Sequence, residues 1–135
     1  MNYKIFIILL LLTFSCTNQN LGKKNISKDL IVQKYSNSGF TLIYSDKLFK
    51  NKIINNKLND RDLLVFQKNL KKDTTVKITN PVNNKSIIAK VKNKSKYPNF
   101  FNSVITSRIA SEINLDLNEP LIFIESVDQN SVFYA

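Results

Sequence analysis

Two alternating stretches joined by a polar turn constrain the fold of this chain more than any other feature. Thr75–Thr79 places Val76 and Ile78 on one face of an extended segment, with a lysine between them. Residues 80–85 are turn formers, and the alternation then resumes with three apolar residues on a single face: Ile87, Ala89 and Val91. Because successive side chains of a strand point to opposite faces, this pattern predicts a β-hairpin with one buried face.

Short apolar runs before and after the hairpin predict further strands. Residues 40–44 and 62–67 precede it, and residues 121–127 follow Pro120 near the end of the chain. The last run is almost continuously apolar, which is typical of a strand buried on both faces. Since the chain has only two glycines, its tight turns must use asparagine, which tolerates positive φ better than most residues.

The apolar periodicity changes in the segment between the hairpin and the last strand. Ile105, Ile109 and Ile113 are spaced like successive turns of a helix. The residues placed to cap its start are Asn102 and Ser103. This spacing predicts one amphipathic α-helix over residues 104–115. Several short strands with a single late helix indicate a mainly β fold, and we expect a small closed barrel.

The N-terminal segment predicts export. A lysine near the start is followed by an unbroken apolar run at residues 5–12 and then by a small residue before Cys16, the only cysteine. This layout is typical of a secretory signal, and the run is too short to span a bilayer as a stable helix. A single cysteine cannot form an internal disulfide, so its thiol is either free or modified.

The same segment resembles a bacterial lipoprotein signal, in which the cysteine becomes the acylated first residue of the mature chain. The match departs at Thr13, where such signals usually have leucine. The resemblance implies that acyl chains on Cys16 hold the protein to a membrane. The chain then divides into a signal peptide, a flexible polar tether, a barrel domain and a tail: residues 1–15, 16–37, 38–128 and 129–135.

The formal net charge of +10 predicts an acidic partner. Export argues against nucleic acid, which leaves anionic lipid and anionic cell-wall polymer as candidates. Lysine far outnumbers arginine and asparagine is abundant, a bias that an AT-rich genome produces by itself. Part of the charge is therefore explained by a solvated surface without a partner.

From residue 39 to residue 127, the order of elements resembles the double-psi β-barrel domain of the rare lipoprotein A family. TTVKITNPVNNKSIIAKV, at 74–91, is similar to the family's "G-T-x-V-x-V-T-N-x-x-N-G-K/R-S-x-x-V-R-V". VITSRIASEINLDL, at 104–117, is similar to "I-I-D-L-S-x-x-A-A-x-x-L-G-L". GFTLIYS and QKNLKKDT stand where the family has "G-x-A-S-W-Y-G" and "H-K/R-T-L-P-L/F-G-T". The resemblance implies a small six-stranded double-psi β-barrel with one α-helix.

Well-studied members of this family are lytic transglycosylases of peptidoglycan, but their catalytic residue types are replaced here. The resemblance puts the acid of "A-N-G-E" at Asn56 (or Lys57, with one gap), the His of "A-A-H-K/R-T" at Gln67 and the Asp of "V-N-D-R-G-P" at Asn93. Glycosidic cleavage needs a proton donor and a carboxylate that stabilises charge. Amides form hydrogen bonds but do not titrate, so no catalytic residue is predicted at these positions.

The hypothesis that follows is a non-catalytic periplasmic lipoprotein that binds the glycan strands of peptidoglycan. Asn56, Gln67 and Asn93 would hydrogen-bond sugar hydroxyls. Cell-wall carboxylates would be bound by Lys92, Lys94 and Lys96. A pyranose ring would stack on Tyr97. Thr17 stands where some lipoproteins have the aspartate that retains them at the inner membrane, which favours the outer membrane. An ordinary surface role stays open for each of these residues.

Two alternatives stay open beside this hypothesis. An active lytic transglycosylase would need a relocated acid, and three aspartates are candidates: Asp60, Asp62 and Asp73. A protein–protein adaptor of an envelope complex would need an exposed apolar patch, for which Phe100 and Phe101 are candidates. Without histidine, and with one cysteine, the sequence predicts no His- or Cys-based metal site, and it contains no motif for a cofactor.

Overall fold

Short strands predominate along the part of the chain that the computed structural model describes, residues 34–127. The elements, in order, are β1 (Ser36–Ile43), α1 (Asp46–Lys50), β2 (Leu64–Phe66), β3 (Thr75–Thr79), β4 (Ser86–Val91), β5 (Ser103–Ile105), α2 (Ser107–Glu112) and β6 (Leu121–Ser126). The predicted signal peptide, the candidate lipidation site Cys16 and the predicted tail lie outside the described residues. Within residues 34–127, neither helix is long and apolar enough to cross a bilayer.

The six strands close into a barrel because β1 pairs on both of its sides. It is parallel to β5, with Thr41 opposite Ser103, and antiparallel to β6, with Gly39 opposite Ile122. β2 is likewise parallel to β4 and antiparallel to β5, while β3 is antiparallel to both β4 and β6. The order β1-β5-β2-β4-β3-β6 therefore leaves no free strand edge, and the predicted mainly β closed barrel is confirmed.

Alternate residues of the strands fill the interior of the barrel. The predicted hairpin is confirmed, since Val76 and Ile78 of β3 are fully buried and lie on the same face as Ala89 and Val91 of β4. Residues of the other elements complete this core: Val65, Leu70, Ile105, Ile109, Ala110, Ile113, Leu115, Ile122 and Ile124. Because this face is apolar and the opposite one carries lysines, a one-residue slip in register would expose the whole core.

A second apolar cluster lies on the opposite face of β2 and β5. Phe66 and Val104 belong to it, whereas their neighbours Val65 and Ile105 belong to the interior, as the alternation of strand side chains requires. The other buried members come from the connections that follow β1 and β4: Tyr44, Ile54, Leu58 and Tyr97. This cluster attaches both connections to the outside of the barrel.

The helix predicted over residues 104–115 is wrong in its start and its length. Ile105 is the last residue of β5, where it pairs with Ile43 of β1, and α2 begins only after it. The N-cap is Thr106, whose hydroxyl accepts a hydrogen bond from the Ile109 N–H at 3.4 Å. The two residues predicted as caps are not used as such: Asn102 and Ser103. The prediction of a single helix is also wrong, because α1 forms after β1.

Both terminal strands differ in part from their predicted form. β1 begins at Ser36, inside the segment predicted as tether (residues 16–37), because its first residues pair with β6. The last strand lies within the predicted residues 121–127, but only the face that carries Ile122 and Ile124 is fully buried. The sequence overestimated the burial of its other face because apolar residues also occur on partly exposed surfaces.

Asparagine side chains tie the β3–β4 turn to the end of α2. The Asn80 amide nitrogen donates to the main-chain carbonyls of Ile113 at 3.1 Å and Asn114 at 3.0 Å, and the Asn83 amide also donates to Ile113 at 3.1 Å. These bonds satisfy carbonyls that a helix end leaves without partners. Asn84 and Asn114 have positive φ values, which confirms the predicted use of asparagine in tight turns.

Lys52 has the same left-handed backbone conformation, with φ of 55°, just after α1. We expect Lys52→Gly to raise the free energy of unfolding by about 0.5–1 kcal/mol, because glycine adopts this conformation without the steric cost of a side chain. The matched control is Lys47→Gly inside α1, which should lower it by about 0.5–1 kcal/mol. Chemical denaturation measures both variants. A loss of stability in Lys52→Gly would contradict the expectation.

Candidate functional site

A groove of about 320 Å³ lies between the first residues of β1, the β2–β3 connection and the β4–β5 connection. Amide side chains contribute much of its lining: Asn37, Gln67, Asn69, Asn99 and Asn102. None of the described residues that line it is an aspartate or a glutamate. We call it the amide groove. Apart from Lys68, which also lines the groove, its side-chain donors and acceptors are uncharged, which suits a ligand rich in hydroxyl and amide groups.

Gln67 is a buried member of the amide groove, and both ends of its amide are hydrogen-bonded. It directly follows β2, and its nitrogen donates to the Tyr35 hydroxyl and, at 3.3 Å, to the Asn102 carbonyl. Its oxygen accepts from the Asn69 N–H. Gln67 therefore joins three segments of the chain, and its first role is to hold the walls of the groove in place.

Tyr97 lines the amide groove, and its hydroxyl both donates and accepts a hydrogen bond. Its hydroxyl donates to the Asn102 carbonyl at 3.1 Å and accepts from the Lys68 N–H at 3.2 Å. The Lys68 ammonium lies 4.2 Å from the centre of the tyrosine ring, a cation–π distance. Only 6% of Tyr97 is exposed, and this burial raises the pKa of its phenol to about 12. Little of its ring is left for a sugar to contact.

Asn102 is the central residue of the groove floor, because the side chains of both Gln67 and Tyr97 donate to its carbonyl. The nitrogen of its side-chain amide is buried and has no hydrogen-bond partner among the described residues. Gly39 of β1 lies directly against it: a Cβ at this position would lie 3.3 Å from the Asn102 Cβ. A side chain at position 39 would therefore need Asn102 to shift by a few tenths of an ångström.

Sequence reasoning missed two residues of this network. Asn102 was predicted only as a helix cap, and Tyr35 fell in the segment predicted as tether. Neither belongs to a motif, and the two are far apart in the sequence. Only barrel closure brings them to Gln67, so no spacing in the sequence signals their contact.

A second cavity, of about 560 Å³, adjoins the amide groove, and Lys68, Tyr97 and Asn99 line both. We call it the lysine cavity, because Lys94 and Lys96 also line it. No described carboxylate lies within 4 Å of the ammonium groups of these last two residues. Their positive charge is thus not neutralised within residues 34–127, which favours an anionic ligand.

Asparagine side chains also shape the lysine cavity. The Asn56 amide donates to the Lys94 carbonyl at 3.0 Å, and the Asn55 oxygen accepts from the Lys96 N–H at 2.7 Å. These bonds fix the connection after β4 against the one that precedes β2. Asn56, which the resemblance places at the family's acid, is thus a neighbour of the lysine cavity.

The two remaining candidates from the sequence lie at the edge of this region. The Lys92 ammonium donates to the Lys57 carbonyl at 3.0 Å. Asn93 is exposed and lines neither cavity. The structure therefore brings Gln67 and Tyr97 into one groove, with the lysine cavity beside them, and leaves Asn93 on the surface.

The three aspartates considered as relocated acids line neither the amide groove nor the lysine cavity. Asp60 accepts a hydrogen bond from the Ser107 N–H at 2.7 Å, at the start of α2. The main-chain carbonyl of Asp62 accepts from the Thr106 hydroxyl at 2.7 Å. Asp73 occupies a turn, with φ of 65°. Each has a local structural role away from Gln67.

We expect Gln67→Met to lower the free energy of unfolding by about 1–3 kcal/mol, because it removes the hydrogen bonds that the buried Gln67 amide makes with Tyr35, Asn69 and Asn102. Asn93→Ala should change it by less than about 0.5 kcal/mol, since an exposed side chain without contacts contributes little. Urea denaturation of both variants tests the difference. Equal effects would show that Gln67 does not hold the groove together.

The raised pKa of Tyr97 predicts a signature at high pH. Its ordinary value is 10.0 and its folded value about 12, so its contribution to stability is complete below pH 10 and is lost as the pH rises towards 12. The difference in tyrosinate absorbance between the native protein and Tyr97→Phe should rise only near pH 12. A rise centred at pH 10 would contradict the burial of this phenol.

Comparison with known proteins adds no family to this description. The sequence matches no protein-family model, and it matches no curated protein. The chemistry of the amide groove and the lysine cavity is therefore the basis on which a function can be proposed.

Proposed function

We propose that this protein binds the glycan strands of peptidoglycan at the amide groove without cleaving them. The observation that carries the proposal is the composition of the two adjoining cavities. The amide groove offers mostly uncharged donors and acceptors, and the lysine cavity offers Lys94 and Lys96 without described counter-ions. Sugar hydroxyls and acetamido groups match the first, and the carboxylates of the cell wall match the second.

We also propose that the chain is a divergent member of the rare lipoprotein A family, with a double-psi β-barrel. Support comes from the closed six-stranded barrel, which contains two parallel strand pairs, β1–β5 and β2–β4. The order of hairpin, helix and final strand agrees with the resemblance seen in the sequence. Gln67, at the position of the family's histidine, lies in the amide groove.

The absence of cleavage follows in this proposal from the chemistry of Gln67 and its neighbours. A glutamine amide does not titrate, so it cannot exchange a proton with a leaving sugar oxygen. General acid–base catalysis by one such group is typically worth about 10²–10⁴ in rate. None of the three aspartates considered as a replacement lines the amide groove, and the Asp60 carboxylate is engaged at the start of α2.

The remaining parts of the proposal concern location. Acyl chains on Cys16 would anchor the protein to a membrane, and the residues between Cys16 and β1 would carry the barrel away from it. Thr17 favours the outer membrane, with the barrel in the periplasm. Peptidoglycan strands then lie within reach of the barrel, and envelope proteins are the alternative partners.

The test is co-sedimentation of the full chain, purified in mild detergent, with insoluble peptidoglycan at low and moderate salt. Released fragments are assayed in the same tube. We expect binding that persists at moderate salt, since salt does not screen hydrogen bonds to the uncharged amides of the groove, and we expect no release. Absence of binding would overturn the proposal in favour of a protein partner. Release of glycan fragments would replace the proposal with an active transglycosylase. Loss of that release in Asp60→Asn or in Asp62→Asn would then identify the acid.

A matched pair of variants separates the lysine cavity from the overall charge. We expect Lys94→Gln with Lys96→Gln to weaken peptidoglycan binding by about tenfold at low salt, which corresponds to about 1.4 kcal/mol. Lys71→Gln with Lys72→Gln removes the same charge from exposed residues that line neither cavity and should leave binding nearly unchanged. Equal losses from both pairs would mean that only net charge matters.

A further inference from the structure

We propose that Phe100 is a stacking platform for a pyranose ring at the mouth of the amide groove, a role that rests on the proposed function. Its side chain is 72% exposed although it lines the groove. Phe40 stacks against it, with ring centres 5.6 Å apart and planes 12° from parallel, and Phe101 meets it edge-on at 5.2 Å. Two neighbouring rings thus support Phe100, which keeps its position without being covered.

The arrangement beside this platform matches a sugar ring. A pyranose has a face of C–H groups and a rim of hydroxyl groups, so its site must combine an apolar surface with polar groups around it. Phe100 supplies the surface. Asn99, which precedes it in the chain, and Asn102, two residues after it, also line the groove. The two needs are therefore met within one short stretch of chain.

The size of the apolar surface favours a sugar over a protein partner. Among the described residues, Phe100 lines the groove, whereas the other exposed large apolar side chains do not: Phe40, Ile53, Val82, Ile88 and Leu117. A protein-binding hot spot usually lies in a larger contiguous apolar patch. Here the apolar surface ends after a few rings and gives way to asparagines.

Charge next to the platform narrows the class of glycan. The Lys68 ammonium donates to the Asn99 side-chain oxygen and to the Tyr97 carbonyl, both at 2.7 Å. These bonds hold a cation against Asn99, the residue that precedes Phe100 in the chain. A carboxylate on the stacked sugar or on the next one would lie on the side of this cation. The ligand class is accordingly a glycan strand that carries carboxylate substituents.

The chain contains no tryptophan, so one introduced residue can report on the platform. The probe is a peptide-free strand of alternating N-acetylglucosamine and N-acetylmuramic acid, titrated into the full chain in mild detergent. We expect the emission of Phe100→Trp to shift and saturate as the strand is added. Val82→Trp is the control: Val82 is 87% exposed, in the β3–β4 turn, and lines neither cavity, so its emission should stay constant.

Affinity provides the second readout. Phe100→Ala should weaken binding of the strand by about tenfold or more, as truncation of an aromatic anchor does, while Phe100→Tyr should retain it. Unfolding curves check that Phe100→Ala still folds. If Phe100→Ala does not fold, the emission of Phe100→Trp still tests the platform. A silent tryptophan together with unchanged affinity of Phe100→Ala would overturn the platform while the proposed function stands. Failure of the native protein to bind peptidoglycan or the strand would overturn both.

Discussion

The double pairing of β1 is the constraint on which the rest of the structure depends. Its parallel pairing with β5 and its antiparallel pairing with β6 close the barrel and bring residues distant in sequence together. The Asn102 N–H donates to the Phe40 carbonyl at 2.8 Å, and the Phe40 ring stacks on Phe100. Both the floor of the amide groove and the aromatic platform therefore exist only because the barrel is closed.

Among residues 34–127, few of the lysines lie within 4 Å of a carboxylate. Glu125 of β6 lies 3.0 Å from Lys34 and 3.6 Å from Lys77, and its hydrogen bond with Lys34 lowers the pKa of this carboxyl. Lys94 and Lys96 have no such partner among the described residues. Abundant lysine can follow from genome composition, but composition does not decide which lysines are neutralised. What marks Lys94 and Lys96 among the lysines that are unpaired within the described residues is their place in the cavity beside the amide groove.

The elements that depend on local contacts could be predicted, and those that depend on distant pairing could not. The β3–β4 hairpin was predicted correctly because alternation and turn residues lie within one short segment. Ile105 was assigned to a helix because its spacing from Ile109 fits both a helix and a strand followed by a helix. Its pairing with Ile43 and Val65 decides for the strand, and both partners are far away in the sequence.

The sequence by itself determined the hairpin, the mainly β class and the use of asparagine in turns. These follow from residue type and local spacing, which are properties of a short segment of chain. Only the tertiary structure decided that Gln67 is hydrogen-bonded at both ends, that Asn102 is central and that Phe100, rather than Tyr97, presents an open ring. Burial and hydrogen-bond partners depend on which strands meet when the barrel closes, and no local pattern records that.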